Sequence, residues 1–156
     1  MKNLDIKKLS FDIFLTFIIG VLPSIFVFKN INTVYANLNK PPLSPPGFIF
    51  PIAWSILYIL MGISLYIIDE DDSKYKKQAK LLYYIQLFIN ALWTPIFFGL
   101  KYYFLAFTWI LILIIIVIYM ISIFYKINKL SSFLQFSYLF WLIFASYLNF
   151  YIFVLN

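Results

Sequence analysis

Residues 40–58 read KPPLSPPGFIFPIAWSILY and join a proline-rich segment directly to an apolar one. They hold five of the chain's seven prolines. Proline fixes φ, lacks a backbone donor and disfavours helix in the residue before it, so residues 41–46 are expected to form a stiff, extended entry. A helix is then expected to begin near Pro46 or Gly47. Because Trp54 and Tyr58 follow Pro51 by one and two turns, the stretch predicts the rim of a ligand pocket at a membrane surface.

The composition places this chain in a lipid bilayer. Of its 156 residues, 64% are hydrophobic, and the mean hydropathy is +0.93. Soluble domains are about 45–50% apolar, so this chain has too little polar surface to cover a globule. The length allows one compact unit. We therefore predict a single all-α transmembrane domain over residues 1–156.

Five apolar segments approach or exceed the ~20 residues that cross a bilayer, which predicts a five-transmembrane-helix bundle. The predicted spans are 11–28, 48–68, 81–98, 104–125 and 133–155. The first is interpreted as a retained helix rather than a signal peptide, because no small-residue cleavage site follows it. Residues 29–47 are predicted to form a long loop, either an ordered lid or a surface linker. The fourth span, almost uniformly apolar, is expected to face lipid more broadly than the others.

The other four spans carry polar, small or tryptophan residues at helical spacing, which predicts a shared inward face. These stripes are Asp12, Thr16, Gly20 and Pro23; Pro51, Trp54, Tyr58 and Gly62; Gln86, Asn90, Trp93 and Phe97; and Tyr138, Trp141, Ala145 and Asn149. A pocket bounded by the first, second, third and fifth spans is expected. Two alternatives stay open: the tryptophans can belong to an interfacial belt, and the asparagines can simply join helices.

The charge pattern indicates a membrane partner and an orientation. All 12 basic residues are lysine, the net charge is +6, and the lysines lie mainly between apolar segments. Anionic lipid headgroups therefore explain them better than nucleic acid. Nine lysines fall on the N-terminal side of the predicted bundle and three on the other side. The positive-inside rule then predicts a cytoplasmic N-terminus. The expected location of this multi-pass protein is a bacterial or archaeal cell membrane.

The residue types exclude several kinds of chemistry. The chain has no histidine and no cysteine, which removes Ser-His-Asp triads and the commonest metal ligands. It contains no phosphate-binding glycine motif. The acidic run 69–72 lacks the alternation of a calcium loop and is interpreted as a solvated turn. We predict no cofactor, no metal site and no conventional catalytic residue.

Three groups of residues together carry a family resemblance. They lie on the proline-rich loop with the second span, on the third span and on the fifth span. They are Lys40-Pro41-Pro42 with Ser44-Pro45-Pro46-Gly47, Phe50-Pro51-x-x-Trp54 and Leu57-Tyr58-x-x-Met61-Gly62; Asn90-Ala91-x-Trp93-x-Pro95-x-Phe97-Phe98; and Trp141-x-x-Phe144-Ala145-x-x-Leu148-Asn149. In these motifs the chain resembles the translocator protein family, also called tryptophan-rich sensory proteins or peripheral benzodiazepine receptors.

The resemblance implies a five-helix bundle, often homodimeric, with a pocket under the first loop. The ligands it implies are porphyrins and haem-pathway tetrapyrroles, benzodiazepine-site compounds and, in animals, cholesterol. Some bacterial members are implicated in porphyrin breakdown that needs light and oxygen, and Trp54 and Trp141 correspond to the tryptophans implicated there. By the same motifs, Pro41, Pro42, Phe50, Asn90 and Ala145 fall at or near pocket-lining positions.

Two departures from the family pattern bear on ligand choice. The animal cholesterol motif requires a basic residue after its tyrosine, but only Ile152-Phe153-Val154-Leu155-Asn156 follows Tyr151. The chain also has no arginine to pair with porphyrin carboxylates. Lys29, Lys40 or Lys101 would have to supply that charge, as point charges rather than bidentate forks.

From pattern and resemblance together, the expected function is binding of a porphyrin or related flat hydrophobic ligand within the bundle, in a sensing, receptor or transport role. The alternatives are light- and oxygen-dependent porphyrin degradation through Trp54 and Trp141, and a purely structural membrane protein. The predicted ligand-binding residues are Pro41, Pro42, Phe50, Trp54, Tyr58, Asn90, Trp93, Trp141, Ala145 and Asn149.

Overall fold

The computed structural model describes residues 4–156 and consists of five long helices. They are α1 (Ile6–Asn37), α2 (Ile49–Glu70), α3 (Lys76–Thr94), α4 (Tyr103–Ile127) and α5 (Lys129–Leu155), and α3 continues into a π-helical turn, Pro95–Gly99. All five are long and apolar enough to cross a membrane. The prediction of an all-α, five-span bundle is confirmed. Lys2, one of the lysines counted for orientation, lies outside the described residues.

The first helix is longer than predicted, and the first loop is correspondingly shorter. The sequence predicted a span over 11–28 and a loop from 29 to 47, but α1 continues to Asn37. Residues 29–37 contain no proline, so nothing in the backbone ends the helix there. The buried Val34 belongs to an apolar cluster that includes Phe97 and Ile152. This tertiary packing holds the polar, asparagine-rich segment in a helix.

The helices form a ring. Around it, α1 packs on α2, α2 on α5, α5 on α4, α4 on α3 and α3 on α1, while α2 and α3 also touch each other. Asp12, Thr16 and Gly20 are all buried, which confirms the predicted inward face of α1. Gly62 on α2 allows a close approach of α1, because a Cβ added there would lie 2.5 Å from the Cα of Ile13.

The expectation that α4 faces lipid more broadly than the other spans is wrong. In α1, 22% of the apolar stretch is buried, against 33% in α4. Leu113, Val117 and Met120 on α4 are fully buried in the main core. Hydropathy did not distinguish these faces, because aliphatic side chains suit a lipid contact and a protein contact equally well.

Ion pairs join three helices at the end of the bundle opposite the proline-rich loop. The Nζ atom of Lys8 on α1 lies 2.6 Å from Oε1 of Glu70 and 3.6 Å from Oδ2 of Asp69. Lys80 on α3 lies 2.7 Å from Oδ1 of Asp69. The interpretation of the acidic run as merely a solvated turn is therefore incomplete: its first two residues end α2 and bind lysines of both neighbouring helices.

Candidate functional site

A cluster of aromatic rings fills the space between α2 and α5. The indole of Trp54 stacks on Tyr58, with centroids 5.4 Å apart and an interplanar angle of 28°. The same indole meets Trp141 edge-on at 6.4 Å and Tyr138 at 6.2 Å. Trp54 and Tyr58 are four residues apart on α2, and Tyr138 and Trp141 are three apart on α5. Each pair therefore lies on one face of its helix. The structure thus brings together the two predicted pocket tryptophans and Tyr58.

The loop between α1 and α2 is fastened beside this cluster. The ring of Phe50 lies 6.1 Å from Trp141 and 5.3 Å from Tyr35. The hydroxyl of Tyr35 donates a hydrogen bond of 2.6 Å to the carbonyl of Pro45. The ammonium of Lys40 donates to the Tyr35 carbonyl at 2.7 Å and lies 4.8 Å from the ring centroid. These contacts favour the ordered lid over the surface linker.

The loop is also tied to the C-terminal end of the chain. The backbone N–H of Asn39 donates to the side-chain oxygen of Asn156 at 3.0 Å, and the Asn156 amide nitrogen donates back to the Asn39 carbonyl at 3.0 Å. Of the two predicted loop prolines, Pro41 is buried and Pro42 is exposed. Pro42 is therefore turned away from the protein interior.

Asn90 supplies an amide beside the tryptophan cluster. Its Nδ2 donates to the hydroxyl of Tyr58 at 3.3 Å and joins α3 to α2. Gly20 on α1 leaves the space that the Tyr58 ring needs, because an added Cβ would overlap that ring. Asn90 therefore joins helices and also adjoins the stacked rings of Trp54 and Tyr58.

The remaining predicted residues form a second group between α3 and α5. The indole N–H of Trp93 donates to Oδ1 of Asn149 at 3.2 Å, and Nδ2 of Asn149 donates to the Ala145 carbonyl at 2.8 Å. Trp93 also stacks on Phe97 with centroids 5.0 Å apart. Asn149 thus joins α5 to α3, which is one of the two roles that the sequence left open for it. The predicted residue set divides between two local groups rather than lining one surface.

Two cavities lie away from the tryptophan cluster. One, of about 350 Å³, adjoins the α4–α5 turn and is lined by Tyr125, Lys129, Leu130, Ser132, Phe133 and Phe136. The other, of about 280 Å³, is lined by Thr33, Val34, Asn37, Leu38, Lys101, Tyr103 and Asn156. Within the cluster the rings contact one another. A flat ligand would therefore have to replace ring–ring contacts to stack there.

Sequence reasoning gave Tyr35 and Tyr138 too little weight. Tyr35 fell within the predicted loop 29–47 and was not in the ligand-binding set, yet it contacts both Phe50 and the loop backbone. Tyr138 was placed on the inward stripe of α5 but not in the ligand-binding set, although its ring touches Trp54. Its position one turn before Trp141 was the available signal.

Across residues 4–156 no group of three or more Asp or Glu side chains is placed to hold a metal ion.

Sequence comparison identifies the family. The model of the TspO/MBR family matches residues 13–155. A tryptophan-rich protein TspO of Archaeoglobus fulgidus is 39% identical over 153 residues, covering 98% of this chain and 99% of the relative. One of Chlorobaculum tepidum is 35% identical, covering 99% of each chain. The human translocator protein is 31% identical, covering 74% of this chain and 70% of its own length. This chain is a multi-pass integral membrane protein and belongs to the TspO/MBR family.

Proposed function

We propose that this protein binds porphyrins and related flat hydrophobic ligands at the Trp54–Trp141 cluster, as a membrane receptor, sensor or transporter-like protein. The observation that carries the proposal is the convergence of Phe50, Trp54 and Trp141 beneath a loop fastened through Tyr35. Rings from α2 and α5 offer several apolar faces at one place. A ligand with a large π-surface gains most from such a site.

The polar groups around the cluster would orient the ligand. The Asn90 amide and the Tyr58 hydroxyl lie beside the stacked rings and are hydrogen-bonded to each other. Lys40 lies in the loop above the cluster and holds the backbone at Tyr35. Its ammonium is the cation available to a ligand carboxylate near the loop, as a point charge rather than a fork. The site would thus combine an apolar interior with a charged rim.

The names of the relatives support a sensing or translocating role. A relative of Cereibacter sphaeroides, 35% identical over 116 residues, is called a tryptophan-rich sensory protein. Relatives in mammals, including that of Ovis aries at 34% identity, are called translocator proteins. Both roles require a ligand that is bound and released unchanged.

A second candidate function is the breakdown of porphyrin under light and oxygen. It is favoured by the direct contact between the indoles of Trp54 and Trp141 and by the contact of Trp54 with the rings of Tyr58 and Tyr138. Indole and phenol side chains are the oxidisable groups at this place. A bound porphyrin excited by light would lie against them, with molecular oxygen as the oxidant.

One experiment tests both functions. The purified protein in lipid nanodiscs is mixed with protoporphyrin, and the porphyrin absorbance is followed in the dark and under light. A saturable spectral shift in the dark, with the porphyrin intact in light, supports binding alone. Light-dependent loss that is absent in Trp54→Phe/Trp141→Phe but present in Trp109→Phe supports turnover. Lack of any saturable shift would refute both proposals.

A further inference from the structure

Two glutamine side chains lie inside the bundle without a protein partner. Gln86 on α3 and Gln135 on α5 have no solvent exposure. Within residues 4–156, neither the amide nitrogen nor the carbonyl oxygen of either side chain has a hydrogen-bond partner. A glutamine amide carries two N–H donors and an oxygen with two lone pairs. Lipid tails cannot supply hydrogen bonds, so these atoms must be satisfied from within the bundle.

Helix geometry places the two glutamines at nearly the same depth in the bundle. Gln86 lies four residues from Asn90, which bonds to Tyr58, so it is about 6 Å deeper than Tyr58 at 1.5 Å per residue. The hydroxyl of Ser64, six residues or about 9 Å deeper than Tyr58 on α2, bonds to Ser131 on α5. Gln135 is four residues, about 6 Å, back toward Tyr58 from Ser131. Both glutamines therefore lie between the depths of Tyr58 and Ser64.

A third unpartnered group belongs to the same region. Tyr138 lies one turn from Gln135 on α5, is almost fully buried, and its hydroxyl has no hydrogen-bond partner among the described residues. Tyr58, Tyr83 and Tyr138 all belong to one buried cluster. Five of the unpartnered buried atoms in the described part of the chain thus come from α3 and α5 in the same part of the bundle, while the other two, Asp12 Oδ2 and Ser44 Oγ, lie on α1 and in the proline-rich loop.

We propose that Gln86, Gln135 and Tyr138 form a water-binding site inside the membrane-spanning bundle. The three groups are neutral and offer both donors and acceptors, which suits water better than an ion. Asp12, a buried carboxylate of α1 whose Oδ2 is also unpartnered, precedes Ile13, which meets Gly62 one turn below Tyr58, so it adds a further acceptor near this depth. Met61 and Leu65 on α2 and Val117 on α4 belong to the same buried core, so these apolar neighbours offer the glutamine amides no hydrogen bonds. Buried waters typically make about three hydrogen bonds, which these groups can supply.

The water site lies directly next to the tryptophan cluster, on the side deeper in the bundle. Tyr138 touches Trp54 through its ring, and its hydroxyl belongs to the water site. The proposal does not depend on the ligand, because it follows from buried amide atoms that must be satisfied whether or not a porphyrin binds.

The chain allows a direct test, since it contains only three glutamines. The full chain is labelled with ¹⁵N at glutamine side chains and tryptophan indoles, placed in lipid bilayers and examined by water-edited solid-state NMR. Gln78 is exposed and bonds to the Tyr119 hydroxyl, so it is the hydrated reference. The indole of Trp109 donates to the Ile89 carbonyl and is the dry reference. Gln86 and Gln135 are both expected to receive water magnetisation as Gln78 does; if either behaves like Trp109, the proposal is overturned.

A variant tests whether the waters are shared. Gln135→Met keeps the side-chain length and removes its hydrogen-bonding groups, and the transfer to Gln86 is expected to fall about two-fold as waters with three partners lose one. A Trp109 indole that stays as dry as in the wild type shows that the variant is folded. Full transfer to Gln86 in the folded variant would overturn the shared site. If the variant does not fold, the wild-type comparison with Trp109 decides.

Discussion

The indole of Trp54 on α2 meets the indole of Trp141 on α5 edge-on, with ring centroids 6.4 Å apart and an interplanar angle of 83°. The two residues are far apart in the sequence, and their contact depends on the packing of α2 against α5. Edge-to-face geometry is a favourable arrangement for two aromatic rings. A ligand that stacks here must gain more free energy from the rings than the two rings gain from contact with each other. Large flat molecules are therefore the best candidates.

Replacing one of these tryptophans is expected to weaken porphyrin binding. Trp141→Phe keeps a ring but loses part of the contact with Trp54 and Phe50. A loss of about 0.5–1.5 kcal/mol corresponds to roughly a 2- to 12-fold higher Kd for protoporphyrin. The measurement is a dark titration followed by porphyrin absorbance. Trp109→Phe is the matched control, since this indole bonds to α3 away from the cluster; an equal loss in both variants would contradict the site.

Loosening the loop is expected to expose its backbone. Tyr35→Phe removes the 2.6 Å hydrogen bond to the Pro45 carbonyl and keeps the ring against Phe50. A net loss of about 0.5–1.5 kcal/mol would speed amide exchange in residues 43–48 by about 2- to 12-fold. Hydrogen–deuterium exchange with mass spectrometry measures this. Tyr102→Phe, at an exposed tyrosine of the α3–α4 turn, should leave the loop unchanged; unaltered exchange in Tyr35→Phe would show that the loop is held by other contacts.

A single methyl group should separate α1 from α2. In most helices Gly→Ala stabilises by about 1 kcal/mol. At Gly62 the added Cβ would lie 2.5 Å from the backbone of Ile13, so Gly62→Ala should destabilise the protein by about 1–3 kcal/mol. Thermal unfolding in detergent measures the change. Gly47→Ala is the control, because there the nearest atom is a ring carbon of Tyr35 at 3.6 Å; a stabilised Gly62→Ala would mean that the helices are not this close.

The ion pairs at the opposite end of the bundle should be sensitive to salt. Asp69→Asn removes a charge that meets both Lys8 and Lys80. These lysines are partly exposed, so the cost should be at most about 1 kcal/mol. The difference in unfolding temperature between wild type and variant should shrink between about 10 mM and 1 M salt as the Debye length falls from about 30 Å to 3 Å. A difference that is independent of salt would point to lost hydrogen bonding instead.

The lysine distribution predicts a cytoplasmic N-terminus, and the absence of cysteine makes this simple to test. Leu43 is exposed in the proline-rich loop, and Lys77 is exposed near the start of α3. Each is replaced in turn, as Leu43→Cys and Lys77→Cys. A membrane-impermeant maleimide applied to intact cells should label the first variant. It should label the second only after lysis. The reverse pattern would place the N-terminus outside.

The number of spans and most inward faces could be predicted from sequence, because both depend on local quantities. Asp12, Thr16 and Gly20 were assigned to one face by helical spacing alone, and all three are buried. Trp54 and Trp141 were predicted to line the same place, and their rings are in contact. In each case the signal is a polar, small or tryptophan residue recurring within an apolar helix.

The errors occurred where the same composition suits two different environments: lipid or protein contact for an apolar face, and loop or helix for a polar segment. The polar segment 29–37 was predicted as loop but is helical, because Val34 packs with Phe97 and Ile152 from distant helices. The burial of α4 was underestimated since its lipid and protein faces have the same composition. The grouping of Trp93 with Asn149 instead of Trp54 depends on how α3 meets α5, which spacing along one helix does not reveal.

The amino-acid sequence alone determined that this chain crosses a membrane five times and most of the residues that face inward on four of its helices, because hydrophobic length and helical period are properties of each segment. Only the tertiary structure decided the ring order of the helices, the extension of α1, the hydrogen bond of Tyr35 to the loop and the unpartnered amides of Gln86 and Gln135. These features arise from contacts between segments, whose free energies depend on geometry that no single segment contains.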